Sequence, residues 1–492
     1  MRSLLFIPIL ATVLSLSSCK NFFSKDLLDK ELSPREMKDD YDLYRNILEK
    51  AHPGLYEYHS KFEITNLFDS IRETITQDIS KREFYNKLVY IADRIGCTHT
   101  AVYLSDADNR NLDTKRFFFP LNLIYIENKL CVNASVDDLP LGSIIVSING
   151  MPADSMLEQM LSYHTTDGFI TKPKYKMAAE NFAYNYYLRF GSNDRFEVQY
   201  KNNASASIQT AELNAITYKR LLEKSAHQFY YDANDYDYDF NVNDSLGVAF
   251  MTIRTLDFSS NSRDKVFNNF MNNSFRLLNS NLSINNLIID LRENNGGNYK
   301  NCFLLYSYLT DKKFKEFDTA WVKFNSVPYA NYTSDNFRSG EWDEVEEIIN
   351  QDFKKDSASL HYLTPDKNEW WQPNKNRFTG NVFLVTNSSV SSAAAYLAAL
   401  LYNEGRATIV GEETEGGYYR HNGFHLLEYE LPNTKIGFSF SIANVKHALP
   451  GKFNEPVGRG VIPNRIVPST YKDFLENNDT QLQYIIDSLV KK

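Results

Sequence analysis

Asn286 to Tyr299, reading NLIIDLRENNGGNY, is the stretch that most narrows what this chain can fold into. Asn286 to Leu291 is a short apolar run of the kind buried in a parallel sheet covered on both faces, and Asn301 to Leu309 reads as an apolar-faced helix. Strand, glycine turn and helix thus follow in order. Gly296 and Gly297 let the backbone take positive φ and bring bare N–H groups to the carboxyl end of a strand, where open α/β sheets bind ligands. The text repeats this grammar once. Gly380 to Asn387 is a second buried strand, Ser388-Ser-Val-Ser-Ser392 its turn, Ala393 to Leu401 an Ala/Leu-rich helix, and Arg406 to Gly411 the next strand. Strands alternating with helices predict an α/β core with a largely parallel sheet.

A chain of 492 residues exceeds one core, so two or three domains are expected. The net charge of −9, without a Lys/Arg run, argues against a nucleic-acid partner held through phosphates. The opening MRSLLFIPILATVLSLSSC joins Arg2 to an apolar run from Leu4 to Leu16, a secretory signal too short for a typical membrane span. Residues 20–35 read as a polar tether. Past Cys19 remain Cys97, Cys131 and Cys302, an odd number that makes neither a disulfide framework nor a CxxC metal knuckle. The nine histidines do not cluster, and His421 and His425 lack the acidic partner of a zinc motif, so neither metal nor cofactor is expected.

Between the tether and the core, residues 36–112 carry helical periodicity, broken at Ala51-His-Pro-Gly54, and end in an extended stretch, Ile95 to Leu104, that contains Thr98 and His99. Residues 113–218 have the texture of a small β-rich module, 219–240 of a linker helix rich in Tyr and Asp, 241–472 of the α/β core, and 473–492 of a C-terminal helix. Within the core, Leu246 to Ile253 is a strand, Ser262 to Asn279 a helix, and Asp311 to Asn376 strands and loops.

A serine just beyond a buried strand, at the start of a helix, exposes its oxygen in the positive field of the helix N-terminus. Serine is equally a preferred N-cap, so residue type alone leaves both roles open. Four stretches together resemble the serine peptidases of the C-terminal processing (tail-specific) and tricorn type, the tricorn-like branch more than the processing branch. Asp290 to Gly297 is close to the family's DLRxNxGG, Ser389 to Ala393 to its SASAS, Val410 to Gly417 to its VGExTxGG, and Gly460 to Asn464 to its GVxPD. The resemblance, from about Asp39 to Val467, implies a crotonase-like β-α core. It puts the nucleophile on Ser391 and the oxyanion donors on Gly296 or Gly297 with Ser392. Where processing peptidases carry the lysine of a Ser-Lys dyad stands Gly417, so the tricorn-like pattern, a histidine after a hydroxyl residue, makes His99 behind Thr98 the base, with His421 a second candidate. Glu455 is the nearest acid to the branch's relay glutamate, two residues further upstream than the pattern. Asn464 replaces its Asp, and Ala394 and Ala395 stand where the family has a Glu.

Two further resemblances bear on how the chain is deployed. Leu141 to Pro152, with Asn149-Gly150 as a hairpin turn, is similar to the IxxINGxP text of PDZ-like domains, which take an extended peptide as an added strand. Leu16-Ser-Ser-Cys19 resembles the lipobox of bacterial lipoproteins, implying lipidation of Cys19 and a membrane-anchored protein of the cell envelope, facing the periplasm or the exterior. The expected function is an exported, lipid-anchored serine peptidase acting on peptides or unfolded proteins. The alternatives are a catalytically inactive peptide-binding protein on the same scaffold and an esterase using the same serine.

Overall fold

In the computed structural model, which describes residues 27–133, 139–223, 237–257, 261–334, 341–356, 360–451 and 455–491, three Ser-x-x-Glu pairs start the first three helices. Helices α1 (Pro34–Ala51), α2 (Lys61–Glu73) and α3 (Lys81–Ile95) each begin with a capping box, Ser33/Glu36, Ser60/Glu63 and Ser80/Glu83. Each box occupies amides that a helix start leaves unpaired, and its serine contributes about 1 kcal/mol. The signal segment and Cys19 lie outside the described residues. The tether is shorter than expected, because Leu28 and Leu32 are buried and Glu31–Leu32 pairs with Ile79–Ser80. Two leucines in a polar stretch suffice to dock it.

Helix α3 ends at Gly96, whose φ of +70° reverses the chain. Residues 97–100 are therefore a turn, not the extended strand expected there, and strand β1 is only Ala101–Tyr103. The middle unit is an antiparallel sheet built from β2 (Leu123–Ile126), β3 (Lys129–Val132), β4 (Ile144–Ile148), β5 (Arg195–Lys201) and β6 (Gln209–Asn214), in the order β6-β5-β4-β3-β2. Helix α4 (Lys172–Glu180) packs on the edge strand β2, with Tyr175 stacked on Tyr125 at 5.0 Å.

The core runs, in chain order, β7 (Tyr238–Asn243), β8 (Val248–Ile253), α5 (Asn261–Ser280), β9 (Asn286–Asp290), α6 (Tyr299–Ser307), β10 (Phe317–Val322), β11 (Asn381–Thr386), α7 (Ser392–Glu404), β12 (Thr408–Gly411), β13 (Arg420–Glu430), β14 (Gly437–His447), β15 (Arg465–Ile466) and α8 (Thr480–Ile485). The main sheet has the order β7-β8-β9-β11-β12-β15, and every pairing is parallel except that of the edge strand β7. Side chains alternate across it: Leu287 and Ile289 join the large core, while Ile288, with Val248, Phe383, Val385 and Val410, packs against Leu482 and Ile485 of α8. The expected C-terminal helix starts earlier and is split, into Tyr471–Glu476 and α8.

A second, antiparallel sheet was not anticipated. Strands β13 and β14 form a long hairpin, β10 pairs with β14, and β1 adds to β14 through the register Gly437↔Tyr103. This last pairing carries the turn holding His99 from the N-terminal helices onto the core. Segment 311–376 also contains a helix, Glu341–Asp352, where only strands and loops were expected. Among the described residues no helix is long and apolar enough to cross a membrane.

Candidate active site

The glycine turn and the serine turn leave neighbouring parallel strands, β9 and β11, and two asparagines lock them together. Asn294, fully buried, donates through Nδ2 to the Ile253 carbonyl at 3.0 Å and accepts the Gly296 amide at 2.8 Å, while its own carbonyl accepts the Ser391 amide at 3.2 Å. Asn387 accepts the amides of Glu293 (3.3 Å) and Ser389 (3.2 Å) and donates to the Glu293 carboxylate at 2.6 Å. The Gly296 amide is thus engaged inside its own turn. Gly297 is exposed, its N–H has no acceptor among the described residues, and its φ is +132°. Gly296, at φ +99°, lies so close to the serine turn that a Cβ there would sit 2.7 Å from Ser392 Cβ and 2.9 Å from the Ala393 nitrogen.

Two serines compete for the elbow, and the backbone separates them. Ser391 is extended at φ −137°, ψ 176°, is 6% exposed, and donates its hydroxyl to the Asn295 carbonyl at 3.3 Å. Ser392, the first residue of α7, takes φ +50° and is partly exposed. A non-glycine residue in that region carries strain of order 1–3 kcal/mol, and a strained strand-to-helix turn is how a nucleophile elbow lifts its hydroxyl clear of the sheet. The amides of Ser392 and Ala393, at the start of α7, belong to the set a helix leaves unpaired.

The base candidate arrives with the α3–β1 turn. Thr98 Oγ1 donates to Glu415 Oε1 at 2.8 Å, and Asp167 accepts both the Thr98 amide and the Gly417 amide at 2.9 Å. Next to Glu415, Gly416 packs on the elbow, where a Cβ would lie 3.0 Å from the Ser392 nitrogen, and both residues donate their amides to the Val390 carbonyl. His99 follows Thr98 directly. Its Nδ1 is buried without a partner among the described residues, which leaves Nε2 as the nitrogen for proton transfer. Burial lowers its pKa to about 4, so the ring is neutral near pH 7. Burial raises Glu415 to about 7 and Asp167 to about 6, the neighbouring Asp167 adding to the rise at Glu415.

Other expected site residues are placed differently. Both ring nitrogens of His421 are taken, Nδ1 by His447 Nε2 at 2.7 Å and Nε2 by the Tyr299 hydroxyl at 2.8 Å, so it has no lone pair to offer a serine. Glu455 bonds Tyr402, ten residues along α7 from Ser392 and about 15 Å away along the axis. The acid that reaches Thr98 is Glu415. One lysine does approach the turn, Lys176 of α4, 3.0 Å from Ser389 Oγ. Burial would lower its pKa, but the pairing with Glu180 and Glu293 outweighs that and holds it charged, so it is no base. A cavity of about 600 Å³ beside Tyr90, Arg94, Tyr163 and Lys174 touches none of these groups.

Residues 250–445, which include both turns, α7 and the 414–417 loop, match the family model described as Peptidase family S41. The chain carries a peptidase S41 domain. Its class is that of a serine-type peptidase, with peptides or proteins as substrates. The fold is similar to that of mature CPAF complexed with lactacystin, at a TM-score of 0.63 and 14% identity over 93% of this chain and 98% of that one. It is similar also to mature CPAF (TM-score 0.63, 16% identity, 93% and 97% covered). A putative peptidase from Parabacteroides merdae ATCC 43184 aligns at a TM-score of 0.48 and 13% identity over 94% and 98%. No curated protein matches the chain.

Sequence reasoning about the S41 domain missed Glu415 and Asp167. Glu415 stood inside the Val410-to-Gly417 motif, and its signal was its place beside Gly416 and Gly417. Asp167 had none, because it comes from the middle unit and meets Thr98 only in three dimensions.

The buried imidazoles carry a pH dependence. Burial lowers His52 and His447 to about 3, His99 and His164 to about 4, and His421 well below its ordinary value. Below about pH 6.5 the unfolded chain takes up protons that the native state refuses, so stability is lost as pH falls from 6.5 toward 3–4. Burial also raises the carboxyls of Asp40, Asp167, Glu180, Glu415 and Glu455, which act oppositely, but only Glu415 and Asp167 shift far, to about 7 and 6, against five strongly lowered imidazoles. The expected melting temperature is lower at pH 5 than at pH 7.5. An equal or higher value at pH 5, measured by calorimetry, contradicts the neutral assignment of these rings.

Proposed function

We propose that the protein is an active serine peptidase whose nucleophile is Ser392, one residue beyond the serine that motif alignment selects. The single observation behind this reading is the φ of +50° at Ser392, an elbow facing the exposed Gly297 turn, while the Ser391 hydroxyl is engaged with a carbonyl. Ser392 Oγ attacks the peptide carbonyl carbon as His99 Nε2 takes its proton. The oxyanion forms between the amides of Gly297 and Ala393, the first an unbonded donor in a glycine turn and the second at a helix N-terminus. His99 then passes the proton to the leaving amine, and water repeats the sequence on the acyl-enzyme. Thr98 and Glu415 orient the segment that carries His99, so the acid acts through a hydroxyl rather than by touching the imidazole.

The middle unit, read as PDZ-like, would present an extended peptide to this cleft, and the lipobox-like Leu16-to-Cys19 text supports a lipid anchor at Cys19 in the cell envelope. A peptide-binding protein without turnover is the rival, favoured by the absence of a carboxylate on His99 Nδ1 among the described residues. Labelling with a fluorophosphonate, followed by peptide mapping, separates them. Modification of Ser392 is expected. Modification of Ser391 instead overturns the assignment, and peptide binding without any labelling establishes the rival.

A further inference from the structure

Behind His99 lies a hydrogen-bond chain in which every donor can be assigned. The Tyr418 carbonyl can only accept, so His447 Nδ1, 2.7 Å away, must donate to it. A neutral His447 then accepts at Nε2, which makes His421 Nδ1 the donor across 2.7 Å. His421 Nε2 accepts in turn, and the Tyr299 hydroxyl donates to it across 2.8 Å. Burial keeps both imidazoles neutral, as this single polarity requires.

The chain touches each part of the cleft. Tyr299 stands two residues after Gly297 and opens α6. The His421 ring lies beside His99, with centroids 5.9 Å apart, and Tyr396, one turn along α7 from Ser392, stacks flat on His447 at 3.8 Å and 12°. Phe317 and Phe424 flank the Tyr299 ring, and the Phe424 backbone N–H bonds its hydroxyl oxygen, so the hydroxyl proton is left to donate to His421.

We infer that Tyr299, His421 and His447 form a one-way relay of positioning residues that locks the wall behind His99 in orientation and tautomer and ties it to the glycine turn. This rests on the peptidase reading above. A neutral, immobile wall matters because His99 must become an imidazolium during acyl transfer. A second proton on the neighbouring ring would oppose that charge, and a loose ring would let His99 drift from the serine.

The test uses the full chain. Tyr299→Phe is expected to lower kcat on an unfolded peptide substrate about ten-fold with KM within about two-fold. His447→Gln, whose amide both accepts and donates where the imidazole did, is expected to keep kcat within about three-fold, whereas His447→Leu, of similar volume, loses about ten-fold. Imidazole ¹⁵N spectra of the unaltered protein, labelled on histidine, should show His421 and His447 as neutral Nδ1–H tautomers, and Tyr299→Phe should bring His421 into tautomer exchange. Leu equal to Gln at 447, or His421 found as the Nε2–H tautomer, overturns the relay. Failure of the unaltered protein to label with fluorophosphonate overturns the peptidase reading, and the tautomers still decide the hydrogen-bond chain. Should Tyr299→Phe not fold, the His447 pair and the unaltered protein's spectrum carry the test.

Discussion

Ser392→Ala should cut turnover of an unfolded peptide substrate on the order of 10⁴- to 10⁶-fold and abolish fluorophosphonate labelling, with the protein still folded, because removing a nucleophile removes the whole covalent route. Ser391→Ala should lose no more than about ten-fold. Its hydroxyl makes one hydrogen bond, to the Asn295 carbonyl at 3.3 Å, and such a bond contributes about 0.5–1.5 kcal/mol net. The two variants differ by one residue position in sequence and by orders of magnitude in expected consequence. If instead Ser391→Ala is dead and Ser392→Ala active, the strained backbone at 392 serves only to shape the helix start, and the proposed chemistry moves one residue back.

The second large effect concerns Arg292, from the Asp-Leu-Arg text that opens the glycine turn. It is 1% exposed and donates to Asp290 through Nε (2.9 Å) and Nη2 (2.8 Å), to Asp479 through both terminal nitrogens (2.9 and 2.7 Å) and to Gln481. Burial pushes the Asp290 carboxyl up, yet Arg292 and Arg254 together outweigh it and hold the pKa at about 2. Arg292→Ala leaves these buried acceptors unpaired, a loss of about 3–5 kcal/mol for such networks, with the lower end expected because Arg254 keeps its bond to Asp290 at 3.1 Å. Asp479 caps α8, so the loss should appear as undocking of that helix. Amide exchange over 480–485 should accelerate about 100-fold. Arg292→Lys should not restore protection, since an ammonium cannot fork to two carboxylates. Unchanged exchange in the alanine variant would show that α8 is held by its apolar face alone.

How much of this was readable beforehand varied with the physics of each residue. The two strand–turn–helix units at 286–309 and 380–401 were legible because continuous apolar runs in parallel strands and glycines at a carboxyl end leave few other folds open. The choice between Ser391 and Ser392 was not, because among four serines in five positions only a backbone dihedral distinguishes them. Glu415 and Glu455 look alike as acids near glycines. What separates them is the reach of Thr98 to one and of Tyr402 to the other. The β13–β14 hairpin escaped notice because β14 is buried along almost its whole length and shows no alternation to read. His99 was assigned to a strand because β-branched neighbours outweighed Gly96, whose positive φ makes the turn.

The bond from Thr98 to Glu415 joins groups 317 positions apart. Closing a loop of that size comes late in folding, after local helices and hairpins have formed. Under the proposed chemistry, a partly folded molecule would have a serine and a histidine but no scissors, and a freshly made chain would be spared from cutting its unfolded siblings until that long-range contact is made.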